Sequence, residues 1–159
     1  MVDNMSDQVL EKFSNRKSPR LKNYDYTQSS WYFVTICTNE KHCIFGAPDS
    51  LSAFGAIAKD AFGEIPKHFP CALVDKYVVM PNHVHAIIAI DQAGTNLSSV
   101  IGQYKSYVTK CIHQIAPEFK VWQTSFHDHI IRTQSDYLRI WQYIDTNPVK
   151  WAEDCFYPN

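Results

Sequence analysis

An α+β fold is what this 159-residue sequence predicts, and three observations carry it. Short β-branched and aromatic runs alternate with longer stretches whose apolar residues recur at helical spacing. Prolines fall at the joints between these runs. The resulting order is strand, helix, strand, strand, helix, short strand, helix. That is the ferredoxin-like β-α-β-β-α-β pattern with an added C-terminal helix. It implies an antiparallel sheet with helices packed on one face, the opposite face being left free for a site.

The length suits one domain, 20–159, behind a polar arm, 1–19. A 45% hydrophobic content is enough for an ordinary core. Five cysteines are an odd number, and no Cys-x-x-Cys spacing occurs. Neither a disulfide framework nor a zinc ribbon is therefore expected, and free thiols suit a reducing cytoplasm. No run is apolar and long enough to cross a bilayer, so no membrane partner is expected. The formal net charge of −1 excludes a globally basic nucleic-acid binder. Local charge differs: Lys12, Arg16, Lys17, Arg20 and Lys22 crowd the N-terminal segment, either as an arm for phosphates or as a solvated terminus.

Each element has its own signal. Trp31 to Thr38 is apolar on both faces, as a central strand would be. Asn39 to Asp49 reads as loop, with Gly46 and Pro48 as punctuation. Leu51, Phe54, Ile57, Ala58, Ala61, Phe62 and Ile65 follow a helical stripe, giving one amphipathic helix from about Ser50 to Ile65. Leu73 to Met80 and His83 to Ile90 read as two strands joined by a tight connection at Pro81-Asn82. Thr95 or Asn96 caps a second helix with Leu97, Val100, Ile101, Tyr104, Val108, Cys111 and Ile115 on its apolar stripe. Tyr104 could be a nucleophile, but its place on the stripe favours core packing. Trp122 to Ile131 is loop and short strand. Thr133 to Asp136 resembles a capping box before a third helix, whose core face is Tyr137, Ile140, Trp141 and Ile144.

The candidate chemistry starts at His83-Val84-His85. In a strand, residues i and i+2 share a face, so the two imidazoles sit side by side on what should be the open face. Two neutral imidazoles can ligate a divalent metal. The bland alternative is real, because a second pair, His127 and His129, has the same spacing. On the third helix Tyr143 and Asn147 are one turn apart, about a quarter turn from the apolar stripe. An Asn oxygen beside two His nitrogens is a plausible set for Mg²⁺ or Mn²⁺. Asn147 could equally be a helix C-cap, and Tyr143 an amphipathic rim residue.

Four ordered blocks carry a resemblance. They are Tyr77-Val-Val-Met-Pro-Asn-His-Val-His, Arg20-Leu-Lys-Asn-Tyr-Asp-Tyr leading into Trp31-Tyr-Phe-Val-Thr-Ile-Cys-Thr, Trp122-Gln-Thr-Ser-Phe-His-Asp-His-Ile-Ile-Arg, and Tyr143-Ile-Asp-Thr-Asn-Pro-Val-Lys. The first resembles the histidine–hydrophobic–histidine signature of HUH nucleases. Together the blocks, over roughly residues 20 to 152, resemble the single-tyrosine HUH transposases and, more narrowly, the REP-associated tyrosine transposases. The resemblance implies that residues 20–159 form a single HUH endonuclease domain, with Tyr143 as catalytic nucleophile and His83, His85 and Asn147 as metal ligands for Mg²⁺ or Mn²⁺. It implies cleavage and rejoining of single-stranded or hairpin DNA through a 5′-phosphotyrosine. Relatives occur as monomers and as dimers, so a homodimer is one expected state. Phosphate contacts are expected from Arg20, Lys22, Lys105 or Arg132.

Two other readings stay open. A ferredoxin-like sheet can bind single strands without cutting them, with Trp31, Tyr32 or Phe33 stacking bases. A zinc hydrolase could use both His-x-His pairs. The discriminating observation is whether Tyr143 lies near the His83 and His85 imidazoles.

Overall fold

The computed structural model describes residues 30–91 and 95–158. The basic arm, with Arg20 and Lys22, lies outside the described residues. Strand β1 (Ser30–Cys37) begins the fold. A two-residue hairpin follows, β2 (Gly46–Ala47) with β3 (Ser50–Leu51), and then α1 (Ala53–Asp60) and α2 (Ile65–His68). Strands β4 (Ala72–Met80) and β5 (His83–Ile90) come next. Helix α3 (Leu97–His113), strand β6 (His127–Ile131) and helix α4 (Gln134–Thr146) complete the order.

The four long strands form one antiparallel sheet in the order β4-β5-β1-β6. The chain from β1 to β4 passes over β5, and the chain from β5 to β6 passes over β1. This is the arrangement that the β-α-β-β-α-β order predicts. β1 is central, which explains why it reads as apolar on two faces, and all eight residues of β5 are buried as well.

On one face, Tyr32, Val34 and Ile36 of β1 and Val84, Ala86, Ile88 and Ile90 of β5 pack under α1 and α3. Tyr104 belongs here. Its ring stacks on Phe62 at 4.5 Å, and its hydroxyl donates to the Ala58 carbonyl at 2.8 Å, so it is core. On the other face, Trp31, Ile87, Ala89 and Ile131 meet Tyr137, Ile140 and Ile144 of α4. The sequence reading left this face open. The C-terminal helix covers it, because its i, i+3, i+7 stripe needs an apolar partner and only this face offers one.

The single helix expected over residues 50–65 is broken. Ser50 and Leu51 pair as strand, and Ser52 caps α1 by accepting from the Gly55 amide at 3.1 Å. A 3₁₀ turn at Ala61–Glu64 precedes α2, where Pro66 has no amide to continue the hydrogen-bond ladder. Gly46 sits at φ 81°, and a Cβ there would lie 2.5 Å from the Ser52 amide nitrogen, so this turn requires glycine. Thr133 caps α4 as expected, accepting from the Asp136 amide at 3.1 Å. The Asp136 carboxylate does not close the box but pairs with His129 and Arg139.

The Pro81-Asn82 connection is buried. Its backbone is satisfied from inside: the Pro81 carbonyl accepts from Phe45 N at 3.0 Å, and the Asn82 carbonyl accepts from both Thr38 N and Thr38 Oγ1 at 3.0 Å.

Removing one buried hydroxyl tests the role of Tyr104. Tyr104→Phe should cost about 1 kcal/mol in urea denaturation, from the lost bond to Ala58. It should leave chemistry on the far face of the sheet unchanged. A cost of zero would show that the hydroxyl contributes nothing to the fold.

Candidate metal centre

His83 and His85 open β5 and point to the α4 face, opposite Cys37 and Thr35 of β1. Both are buried, at 0% and 1% exposure, not open to solvent as the strand pattern alone suggested. The physical reason is the cover. Phe156 lies 4.4 Å from the His83 ring, Trp151 lies 6.0 Å from it, and Tyr143 lies 5.4 Å from the His85 ring.

Hydrogen bonds orient the rings. Asn82 Nδ2 donates to the carbonyls of Phe156 at 2.8 Å and Lys41 at 3.3 Å. That turns Asn82 Oδ1 toward His83 Nδ1, 2.8 Å away. A carbonyl oxygen only accepts, so the His83 proton sits on Nδ1 and Nε2 keeps its lone pair. His85 Nδ1 lies 2.8 Å from Thr35 Oγ1, a hydroxyl that can turn to donate or accept. The two Nε2 atoms face each other at 3.1 Å. Without a cation, His85 Nε2–H can donate to His83 Nε2 while Thr35 donates to His85 Nδ1. With Thr35 accepting instead, both Nε2 lone pairs converge on one point. Cis ligands about 2.1 Å from an octahedral ion lie about 3 Å apart, so the spacing fits one.

Burial pushes the His83 imidazole down to about 3, with a partial offset from the Asn147 side chain. Burial also takes His85 down to about 3, the neighbouring His83 acting in the same direction. Both rings are therefore neutral near pH 7, as ligands must be.

Asn147 is the C-cap of α4 and is also buried against the pair, at 3% exposure. Its Nδ2 donates to Asp154 Oδ2 at 2.7 Å. Its Oδ1 is buried with no hydrogen-bond partner, an uncommon state for a carbonyl oxygen. Two convergent nitrogens and an orphaned oxygen form a donor set suited to a hard divalent cation. Asp154 was not anticipated, because nothing in its sequence context marks it. The ligand atoms of His83, His85 and Asp154 lie within 4.8 Å of one another.

Tyr143 is 40% exposed, with one edge against Phe33 at 6.1 Å. Partial burial, then the charge of Asp154, pushes its phenol up to about 12, and the Asn147 amide partly offsets this. The fold thus brings together His83, His85, Tyr143 and Asn147.

The other candidates lie elsewhere. Lys105 Nζ donates to the carbonyls of Gln123 at 2.6 Å and Thr124 at 3.3 Å, bracing the loop before β6 on the α3 side of the sheet. Arg132 is exposed between β6 and α4. His127 and His129 are exposed on β6, and His129 pairs with Asp136 at 2.7 Å. Among the described residues this second pair joins no three-residue group that could hold a metal, and the zinc-hydrolase reading finds no centre there. Trp31 and Tyr32 are buried, so the base-stacking platform of the binding-only reading is not available at those residues.

The arrangement defines an α+β protein with a neutral histidine pair and a tyrosine on one covered sheet face. Residues 25–147 match the family model described as "Transposase IS200 like". The chain belongs to this family of transposases, whose work is DNA transposition. Within it the chain is similar to the REP-associated tyrosine transposase of Escherichia coli, 32% identical over 77 residues that cover 48% of this chain and 44% of that protein. An uncharacterized protein of Haemophilus influenzae is 34% identical over 168 residues, covering 90% of this chain and 93% of its own. A solved REP-associated tyrosine transposase bound to a REP hairpin shares the fold, with a TM-score of 0.64 at 22% identity over 85% of this chain and 74% of that one.

The buried histidines set a pH dependence in the metal-free protein. Unfolded histidine titrates near 6.5, and the folded pair only near 3. Between those values the unfolded chain binds more protons, so this stability is complete above about pH 6.5 and is lost as pH falls toward about 3. Urea midpoints should fall from about pH 7.5 to about pH 4.5, and the drop should be shallower in a His83→Ala/His85→Ala variant. Equal slopes would show that the pair does not titrate this way.

Proposed function

We propose that this chain is a metal-dependent single-stranded DNA transesterase that cuts and rejoins through a 5′-phosphotyrosine, with a DNA hairpin as its recognised form. The observation that carries the reading is the Tyr143 ring packed 5.4 Å from His85, beside two imidazole nitrogens 3.1 Å apart. A tyrosine on an amphipathic rim needs no such neighbours.

His83 and His85 would hold the ion through Nε2, with Asn147 Oδ1 as oxygen ligand. A bound Mg²⁺ or Mn²⁺ would polarise the scissile phosphate and offset developing negative charge. The Tyr143 phenol gives up its proton as its oxygen forms a bond to phosphorus and the bond from phosphorus to the 3′ oxygen breaks, so the proton released matches the one the leaving oxygen takes up. That oxygen leaves and takes up a proton, giving a 3′-OH and a 5′-phosphotyrosine. The ester energy is conserved, so the reverse attack by a 3′-OH rejoins strands without ATP. Thr35 and Asn82 hold the imidazoles in the ligating orientation throughout. With its proton held up to about 12, the phenol rests neutral, and partial exposure leaves it open to a strand.

Hairpin recognition is supported by the solved relative bound to a REP hairpin. Arg20, Lys22 and Arg132 are the proposed phosphate contacts. Lys105 is a weaker choice, since its ammonium already serves two carbonyls. Either a monomer or a homodimer suits this chemistry.

Incubation with a single-stranded hairpin and Mn²⁺ or Mg²⁺ should yield a covalent adduct on a denaturing gel. Tyr143→Phe should abolish it while leaving fold and DNA binding nearly intact, because loss of one hydroxyl from a partly exposed side chain opens no cavity. An adduct of full yield from that variant, or one mapped to Tyr104, would sink the assignment. His83→Ala and His85→Ala should each abolish cleavage. Because both rings are buried, each should also lower stability, so circular dichroism accompanies the assay.

The arm is tested by salt. Each phosphate contact to a single strand adds about 0.7 to the slope of log K against log salt. Arg20→Glu/Lys22→Glu should weaken hairpin binding and flatten that slope, while cleavage at saturating DNA persists. Identical slopes would assign the arm no contact.

A further inference from the structure

We propose that Asp154 is an anionic ligand of the divalent cation held by His83 and His85, which makes the C-terminal segment a part of the metal site. The inference rests on the metal-dependent reading above and adds a residue to it.

Position comes first. The Asp154 side chain is 0% exposed, and its Oδ2 lies 3.9 Å from His83 Nε2. Its ligand atom and those of both imidazoles fall within 4.8 Å of one another. Bonds on two sides then fix the carboxylate. Oδ1 accepts from Phe156 N at 2.8 Å, and Oδ2 accepts from Asn147 Nδ2 at 2.7 Å. A carboxylate oxygen has a second lone pair, so Oδ2 can accept from Asn147 and still face a cation.

Charge supplies the second argument. Among the described residues no lysine or arginine nitrogen lies within 4.0 Å of this carboxylate, and His83 is its only ion-pair partner by distance. A buried carboxylate that no lysine or arginine contacts within 4.0 Å is costly, and Lys41, whose ammonium stands over the Phe156 ring at 5.4 Å, offsets it only from a distance. A divalent ion at the imidazole pair would be its counter-ion.

Asn147 gives an independent sign. With Nδ2 committed to Asp154, its Oδ1 is left buried and unpartnered. Two nitrogens, one amide oxygen and one carboxylate oxygen make a mixed set suited to Mg²⁺ or Mn²⁺, and the carboxylate cancels part of the ion's charge.

The test is Mn²⁺ binding to the full chain, by calorimetry and electron paramagnetic resonance, without DNA. Asp154→Asn keeps the acceptor for Phe156 and removes the charge. Mn²⁺ affinity should fall at least tenfold, and the rise in Tm on adding Mn²⁺ should shrink accordingly. Wild-type affinity in this variant would overturn the proposal, as would a lowered metal-free Tm with the Mn²⁺ response intact. Should Asp154→Asn fail to fold, Asp154→Cys in a Cys155→Ser background decides the matter. With Co²⁺ it should show a thiolate-to-metal charge-transfer band that is absent when Asp154 is present. No band would exclude position 154 from the ion. If wild type binds no Mn²⁺ while His83→Ala behaves identically, the metal-dependent reading itself fails, an outcome distinct from a wild type that binds and an Asp154→Asn that binds equally.

Discussion

The amide of Asn82 is the interaction on which the candidate site depends. It donates to the carbonyls of Lys41 and Phe156 and accepts from His83 Nδ1. One side chain thus ties together the turn after β1, the β4–β5 hairpin and the C-terminal segment. Because Nδ2 is held by two acceptors, Oδ1 has no choice of direction, and the His83 tautomer follows. The turn can be buried only because Thr38 and Phe45 satisfy its backbone. The surrounding fold therefore pins the first ring of the pair from behind, and Thr35 pins the second.

The sheet divides labour between its faces. Under α1 and α3 the core is apolar and fully packed, and Tyr104 is absorbed there as a hydrogen-bonded aromatic. Under α4 the packing is apolar at the Trp31, Ile87 and Ile131 end and becomes polar at the His83 end. Helix α4 is anchored at its first turn, where Tyr137 bonds to Asp75 at the β4 bulge. The same helix presents Tyr143 about two turns on and Asn147 about three, at its C-cap, so the anchor sets where they fall along the sheet. Two tyrosines on two helices have opposite surroundings because one lies on its apolar stripe and the other beside it.

Much of this was legible from residues. The alternation of β5 placed His83 and His85 on one face, since the strand period is two whatever the context. The stripe of α4 set Tyr143 and Asn147 aside from the core residues for an equally local reason. Burial was not legible. A strand with polar residues on one face reads as half-exposed, and only packing of α4 and Phe156 shows that face to be covered. The division of residues 50–65 into a strand end, a short helix and a 3₁₀ turn was also hidden, because the apolar stripe runs unbroken through the turn and carries no mark of it.

The sequence by itself determined the element order, the crossover topology, the family and the residue types gathered at the candidate site. Those follow from local periodicity and from ordered motifs, which need no knowledge of distance. Tertiary structure alone decided that the imidazoles are buried and neutral, that Asn147 has an orphaned oxygen, and that Asp154 stands beside them. Asp154 is 71 residues from His83 in the chain, in a segment with no periodic pattern. A carboxylate there could face solvent or a metal with equal local logic. Its surroundings are set by a hydrogen bond to Asn147, seven residues earlier, and by the long-range hold of Asn82 on Phe156, which no local pattern records.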